Sequence, residues 1–162
     1  MIKVFSTVND GLILDVLGVP AIWEAVSDGE TKLKDYPIDH ENSVWLMMTV
    51  NNVVVAMYNF EALNSVSIKI HAHVLPEYRK QYSRQTGKEA LRWIKSQATW
   101  VHKIIAEVPM LHPNVANFVL SLGFKEEGIN RESYLKNELI YDQWLFGITV
   151  EEIEGVLNVQ NN

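Results

Sequence analysis

The sequence predicts a mixed α/β domain spanning 1–162, with a mostly antiparallel, twisted sheet flanked by helices. Three observations carry this prediction. The apolar period shortens from three-or-four to two near residue 43. Residues 66–75 then alternate strictly, and Pro76 hands over to a stretch with helical spacing. A final pair of strand-like segments runs into Thr149-x-x-Glu152, the kind of box that opens a helix.

Taken in order, residues 2–8 (IKVFSTV) form a short strand. Residues 12–27 carry Leu12, Ile13, Val16, Leu17, Ile22, Trp23 and Val26 at helical spacing, but Pro20 interrupts them, so two short helical pieces are expected. Asp28-Gly29 stops the second piece, and the polar stretch 30–42 is a loop. Residues 43–50 (SVWLMMTV) and 53–61 (VVVAMYNFE) are strands joined by the tight-turn pair Asn51-Asn52. A turn around Leu63-Asn64-Ser65 leads to strand 66–75. There Val66, Ile68, Ile70, Ala72 and Val74 take one face, and Ser67, Lys69, His71 and His73 take the other. These three strands make an antiparallel meander.

Residues 82–100 form a helix, with Gly87, Ala90, Leu91, Ile94, Ala98 and Val101 spaced by three or four. With strand 102–108 it completes a right-handed βαβ crossover. Asn114 caps a helix over 115–122 that ends at Gly123. Strands 124–135 and 138–148 surround a Lys136-Asn137 turn, and a last helix covers 150–157. The order is therefore β-α-β-β-β-α-β-α-β-β-α.

Composition excludes several function classes. Lys and Arg number 14 against 20 Asp and Glu, for a net charge of −6, which disfavours a nucleic-acid partner. Without cysteine there are no disulfides, thiolate nucleophiles, cysteine zinc sites or iron–sulfur clusters, and a reducing compartment fits. No apolar run approaches the ~20 residues of a membrane helix. The start MIKVFSTVNDG does not read as a secretion signal. A cytoplasmic protein with neither membrane nor nucleic-acid partner is expected.

The stretch IIAEVPMLHPNVANFVLSLGFKEEGINRESYLKNELIYDQWLFGITVEE resembles the strand, Asn-capped helix, Gly-Phe turn and closing hairpin of the GNAT superfamily of acetyl-CoA-dependent N-acyltransferases. Within that superfamily it is most similar to the branch that acetylates ribosomal proteins. HVLPEYRKQ resembles the family's strand end and phosphate loop, and the resemblance covers roughly 43–155. It implies a GNAT-like fold and acetyl-CoA as co-substrate. The acetyl group would pass by direct attack to a primary amine on a small molecule or a protein. An exposed hairpin edge would also let two copies pair as a homodimer.

The cofactor contacts implied by the resemblance fall in three places. His73, Val74 and Leu75 form the strand edge along which the pantetheine arm lies. Arg79, Lys80, Gln81, Tyr82, Ser83 and Arg84 stand where the pyrophosphate meets a helix N-terminus, and Asn114 is the third contact. The family sets small residues where Tyr82 and Arg84 stand, because glycine lets backbone approach phosphate closely. That departure fits an alternative, a catalytically inactive GNAT-fold binding or assembly protein. The glycine-poor loop is similar to GNAT-like proteins of tailed phages, some linked to head assembly.

Amine acetylation needs a base, an acid for the leaving thiolate and an N–H group that polarises the thioester carbonyl. Glu107, near the end of its strand, resembles a glutamate that some family members use as base. His71 and His73 share the polar strand face and suit a base near neutral pH, and His73 is a catalytic candidate. No third ligand can be placed beside this pair from His40, His102 or His112, so no metal is expected. The family's helical acid tyrosine is Val119 here, which leaves Tyr141 or Tyr134 as substitute. Trp93 and Trp100, seven apart, have helix-packing spacing rather than that of a base-stacking platform.

Overall fold

The computed structural model describes residues 1–158. One sheet contains β1 (Ile2–Thr7), β2 (Ser43–Val50), β3 (Val53–Ala62), β4 (Ser67–Val74), β5 (Lys103–Pro109), β6 (Lys125–Lys136) and β7 (Leu139–Thr149). Across the sheet the order is β1-β2-β3-β4-β5-β7-β6. The β4–β5 pair is parallel and the other neighbouring pairs are antiparallel. The helices are α1 (Asp10–Leu17), α2 (Pro20–Val26), α3 (Arg79–Gln97), α4 (Pro113–Ser121) and α5 (Val150–Asn158). This is the expected order of elements, with the first helical stretch split at Pro20.

Local chemistry explains most boundaries. Asn9 caps α1, its Oδ1 accepting from Leu12 N–H at 3.1 Å. Pro20 sits in the first turn of α2, where its missing N–H costs nothing. Asn51 and Asn52 have φ of 51° and 65°, the left-handed pair that a two-residue hairpin requires. The capping box is reciprocal: Thr149 N–H donates to Glu152 Oε2 at 2.9 Å, and Glu152 N–H donates to Thr149 Oγ1 at 3.3 Å.

Four boundaries differ from the sequence expectation, the first being the end of α3, which stops at Gln97 and leaves Ala98, Trp100 and Val101 outside the helix. The second hairpin turns at Asn137-Glu138, with φ of 48° and 66°, rather than at Lys136-Asn137, because Lys136 is drawn inward and buried. Helix α3 begins at Arg79 rather than 82, led in by a 3₁₀ turn over Pro76–Tyr78. Arg, Lys and Gln are good helix formers and extend it backwards. Helix α4 takes Pro113 at its start and His112 as cap residue without a side-chain bond, so Asn114 lies in the first turn and caps nothing. Gly123 does follow the helix, with φ of +88°, its N–H donating to Leu120 O at 3.0 Å.

The sheet is covered on both faces. Against one face lie α3, α4 and α5, through Ala90, Leu91, Ile94, Ala116, Val119 and Ile153. Against the other lie α1 and α2, where Ile13, Val16, Leu17 and Ile22 enclose Trp45 and Met57. This double cover changes the pattern of β4. Ser67 and His73, on its nominally polar face, are buried, whereas Ala72 on the apolar face is exposed.

The feature that shapes the site is a fork. Strands β4 and β5 pair only at Ser67–Lys103, Ile68–Ile104 and Lys69–Ile105. Beyond these, β4 stays with β3 as far as Val74, and β5 stays with β7 as far as Pro109. No described helix is long and apolar enough to cross a membrane.

Candidate active site

The fork opens into a cavity of about 420 Å³ lined from both faces of the sheet. Toward α3 and α4 its walls are apolar: Ala72, Ala106 and Val108 of the strands meet Val115, Phe118 and Val119 of α4. Toward α1 and α2 they are polar: Lys69, His71 and Glu107 stand with Tyr36, Tyr134 and Gln143. The parallel register, 67 with 103 and 69 with 105, sets His71 level with Glu107 across the gap.

The polar wall holds a charge network. Lys69 Nζ donates to Glu107 Oε2 at 3.4 Å and lies 3.9 Å from Glu61 Oε2. His71 Nε2 lies 3.7 Å from the same Glu61 oxygen. The network follows from register, since Glu61 of β3 pairs directly with Lys69 of β4. Desolvation by the cavity walls pushes His71 below the usual histidine range, Lys69 adds to that, and Glu61 pulls partly back. Burial raises the Tyr36 hydroxyl, with Glu61 adding to the effect. Tyr134 is raised by burial, then by Glu24 and Asp28.

The outer wall of this side is tied down by the β6–β7 hairpin. Lys136 Nζ donates to Glu24 O at 2.6 Å and Ser27 O at 2.9 Å, satisfying carbonyls at the end of α2. Tyr134 Oη donates to Ala25 O at 3.4 Å beside it, and Asn137 N–H donates to Asp28 O at 2.9 Å.

The sequence candidates divide. Glu107 lines the cavity. His73 also borders the cavity, but its ring is buried, stacked on Trp45 with centroids 6.1 Å apart, and its Nε2 has no hydrogen-bond partner among the described residues. Burial pushes it down to about 3, which favours the neutral ring. Tyr141 sits opposite Tyr134 in the hairpin and does not line the cavity. Asn114 is exposed, and its neighbours His112 and Val115 reach the cavity instead.

The expected phosphate loop is helical. Arg79 to Arg84 form the first turns of α3, and the 3₁₀ turn uses the N–H groups of Tyr78 and Arg79 on Leu75 O and Pro76 O. Arg79 Nε donates to Val74 O at 3.0 Å, so that carbonyl already has a partner, and Leu75 packs toward α1 and α2. Tyr82 packs on the core, while Lys80 and Gln81 are exposed. Arg84 borders a surface hollow with Lys125 and Glu152, apart from the fork, and Ser83 contributes its carbonyl to Thr86 Oγ1. Any phosphate contact here therefore depends on side-chain charge more than on free backbone.

Sequence reading missed Glu61, Lys69, Tyr36 and Gln143. Only Lys69 carried a signal, as a charge on the polar face of an otherwise buried strand.

Comparison with solved structures finds a similar fold in N-acetyltransferases. The spermidine N-acetyltransferase of Vibrio cholerae in complex with CoA and spermine superposes with a TM-score of 0.79 at 16% identity, covering 94% of this chain and 98% of that one. The spermidine/spermine N-acetyltransferase SpeG of Vibrio cholerae in complex with manganese ions gives 0.75 at 15%, covering 95% of each chain. No family model and no curated protein matches the sequence. The likeness is one of fold.

Proposed function

We propose that this chain is a single-domain, cytoplasmic N-acetyltransferase that passes an acetyl group from acetyl-CoA to a primary amine by direct attack. The observation that carries this reading is the fork, an apolar wall and a charged wall meeting where β4 and β5 part. A pantetheine arm suits the side walled by Ala72, Ala106 and Val108, whose small side chains leave room for it. The Val74–Leu75 end of β4 lies along its way, and Arg79, Lys80 and Arg84 place positive charge in the first turns of α3. The acceptor suits the other side, where Glu61 and Glu107 favour a cationic, small-molecule amine.

The glycine-free start of α3 favours one rival, a GNAT-fold scaffold that no longer binds CoA. Neither phage head assembly nor ribosomal-protein acetylation draws support from the structural neighbours. Calorimetric titration of the purified chain with CoA separates the two readings. A saturable isotherm below millimolar ligand is expected. No binding at millimolar CoA would overturn the enzyme reading in favour of the scaffold.

A further inference from the structure

We infer that His71, not Glu107, takes the proton from the acceptor amine, with Glu61 and Lys69 as positioning residues and Glu107 as the anchor for the substrate cation. The inference rests on the acetyltransferase reading and assigns roles within it.

Three geometric facts support the assignment. His71 is level with Glu107 across the unpaired part of the fork, and its side chain keeps 43% exposure there, so an amine held at Glu107 meets the imidazole. Glu61 Oε2, at 3.7 Å from Nε2, compensates the charge that a proton brings to the ring. Glu107 accepts from Lys69, and a proton on that carboxylate would abolish the pairing. The two groups therefore differ: a proton on the imidazole is offset by Glu61, whereas a proton on Glu107 breaks its contact with Lys69.

The groups facing His71 come from several elements. They are Glu61 of β3, Lys69 and His73 of β4, Glu107 of β5, Tyr36 before β2, His112 before α4 and Tyr134 of β6. Desolvation and Lys69 keep the ring neutral at neutral pH, the form a proton acceptor needs.

The step balances as follows. The ammonium gives one proton to His71, which later releases it to water. The freed amine nitrogen bonds to the acetyl carbonyl carbon of acetyl-CoA, and the carbon–sulfur bond breaks. The second proton leaves the nitrogen as the amide forms and ends on the CoA thiolate.

The test uses the full chain, acetyl-CoA and whichever member of a primary-amine panel turns over fastest. His71→Ala is expected to lower kcat about a hundredfold, with CoA binding by calorimetry unchanged and activity partly restored by added imidazole. Should that variant not fold, His71→Gln serves in its place. Glu107→Gln is expected to raise KM for the amine about tenfold and to keep the acid limb of the rate profile, moved slightly to lower pH because Glu107 is the smallest of the charges that raise the imidazole. Glu61→Gln should move that limb to lower pH and Lys69→Met to higher pH, because the first removes a charge that raises the imidazole and the second one that lowers it. Full activity in His71→Ala, or loss of the acid limb in Glu107→Gln, would overturn the assignment while leaving acetyl transfer intact. A wild-type chain that binds no CoA or acetylates no amine would overturn both.

Discussion

His71 and His73 sit two residues apart on one face of one strand, and their surroundings have little in common. At the fork the neighbours are Glu61, Lys69 and Glu107, and the ring is half open. One pleat further on, Trp45, itself packed against α1 and α2, stacks on the ring and buries it. The lesson concerns the sheet rather than the residues. Where β5 leaves β4, a polar face becomes a site; where a helix covers it, the same face becomes core. The first region should govern activity with little effect on stability, and the second the reverse.

The largest way to break that contrast is Trp45→Ala. Trp45 is 3% exposed and walls the covered end, so its loss should cost about 3–5 kcal/mol, read as a fall in the urea midpoint. A matching His71→Ala variant should stay within about 0.5 kcal/mol of wild type. Acid comes next. The His73 ring is held at about 3 in the fold against 6.5 as its ordinary value. The unfolded chain therefore binds the extra proton between those values, and stability falls as pH drops through that window. Unfolding at pH 4 should be easier than at pH 7 by about 3 kcal/mol, and His73→Phe, which keeps a ring on Trp45, should remove most of the difference.

Smaller effects sharpen the other side of the comparison. Lys136→Met strips two carbonyls at the end of α2 of their donor and should cost about 2 kcal/mol. It should also raise KM for the amine more than for acetyl-CoA, because it loosens only the acceptor wall. Ala72→Phe should cost least, within about 0.5 kcal/mol, because Ala72 is exposed in the fork. The same phenyl ring fills the apolar throat and should abolish CoA binding by calorimetry. Unaltered CoA affinity in that variant would place the pantetheine elsewhere.

The fold was legible where a single residue dictates backbone: Pro20 between two helices, Asn51-Asn52 in a turn, Thr149 and Glu152 at a helix start. It was misread where two local signals compete. Asn114 is a good cap, but Pro113 is a better first helical residue and took the helix one step earlier. Arg79 to Ser83 resembled a loop by family pattern, yet as helix formers with no glycine among them they obey propensity. For the site, Glu107 and a histidine on the 66–75 strand were readable because alternation assigns a face. The choice between His71 and His73 was not, since it depends on where β4 and β5 stop pairing and on where α1 lies. Glu61 was invisible for a related reason: only the β3–β4 register brings it beside Lys69.

The Lys136 tie has a consequence for when this protein becomes whole. Its partners lie 112 and 109 residues earlier in the chain, so the acceptor wall is closed by a segment synthesised long after α2. Contacts of such sequence separation form late in folding, because the intervening chain must first be ordered. Until β6 and β7 are made, the end of α2 lacks the Lys136 donor for its carbonyls, and the polar wall of the fork lacks Tyr134 and Gln143. The polar wall of the fork is therefore completed only with the second hairpin.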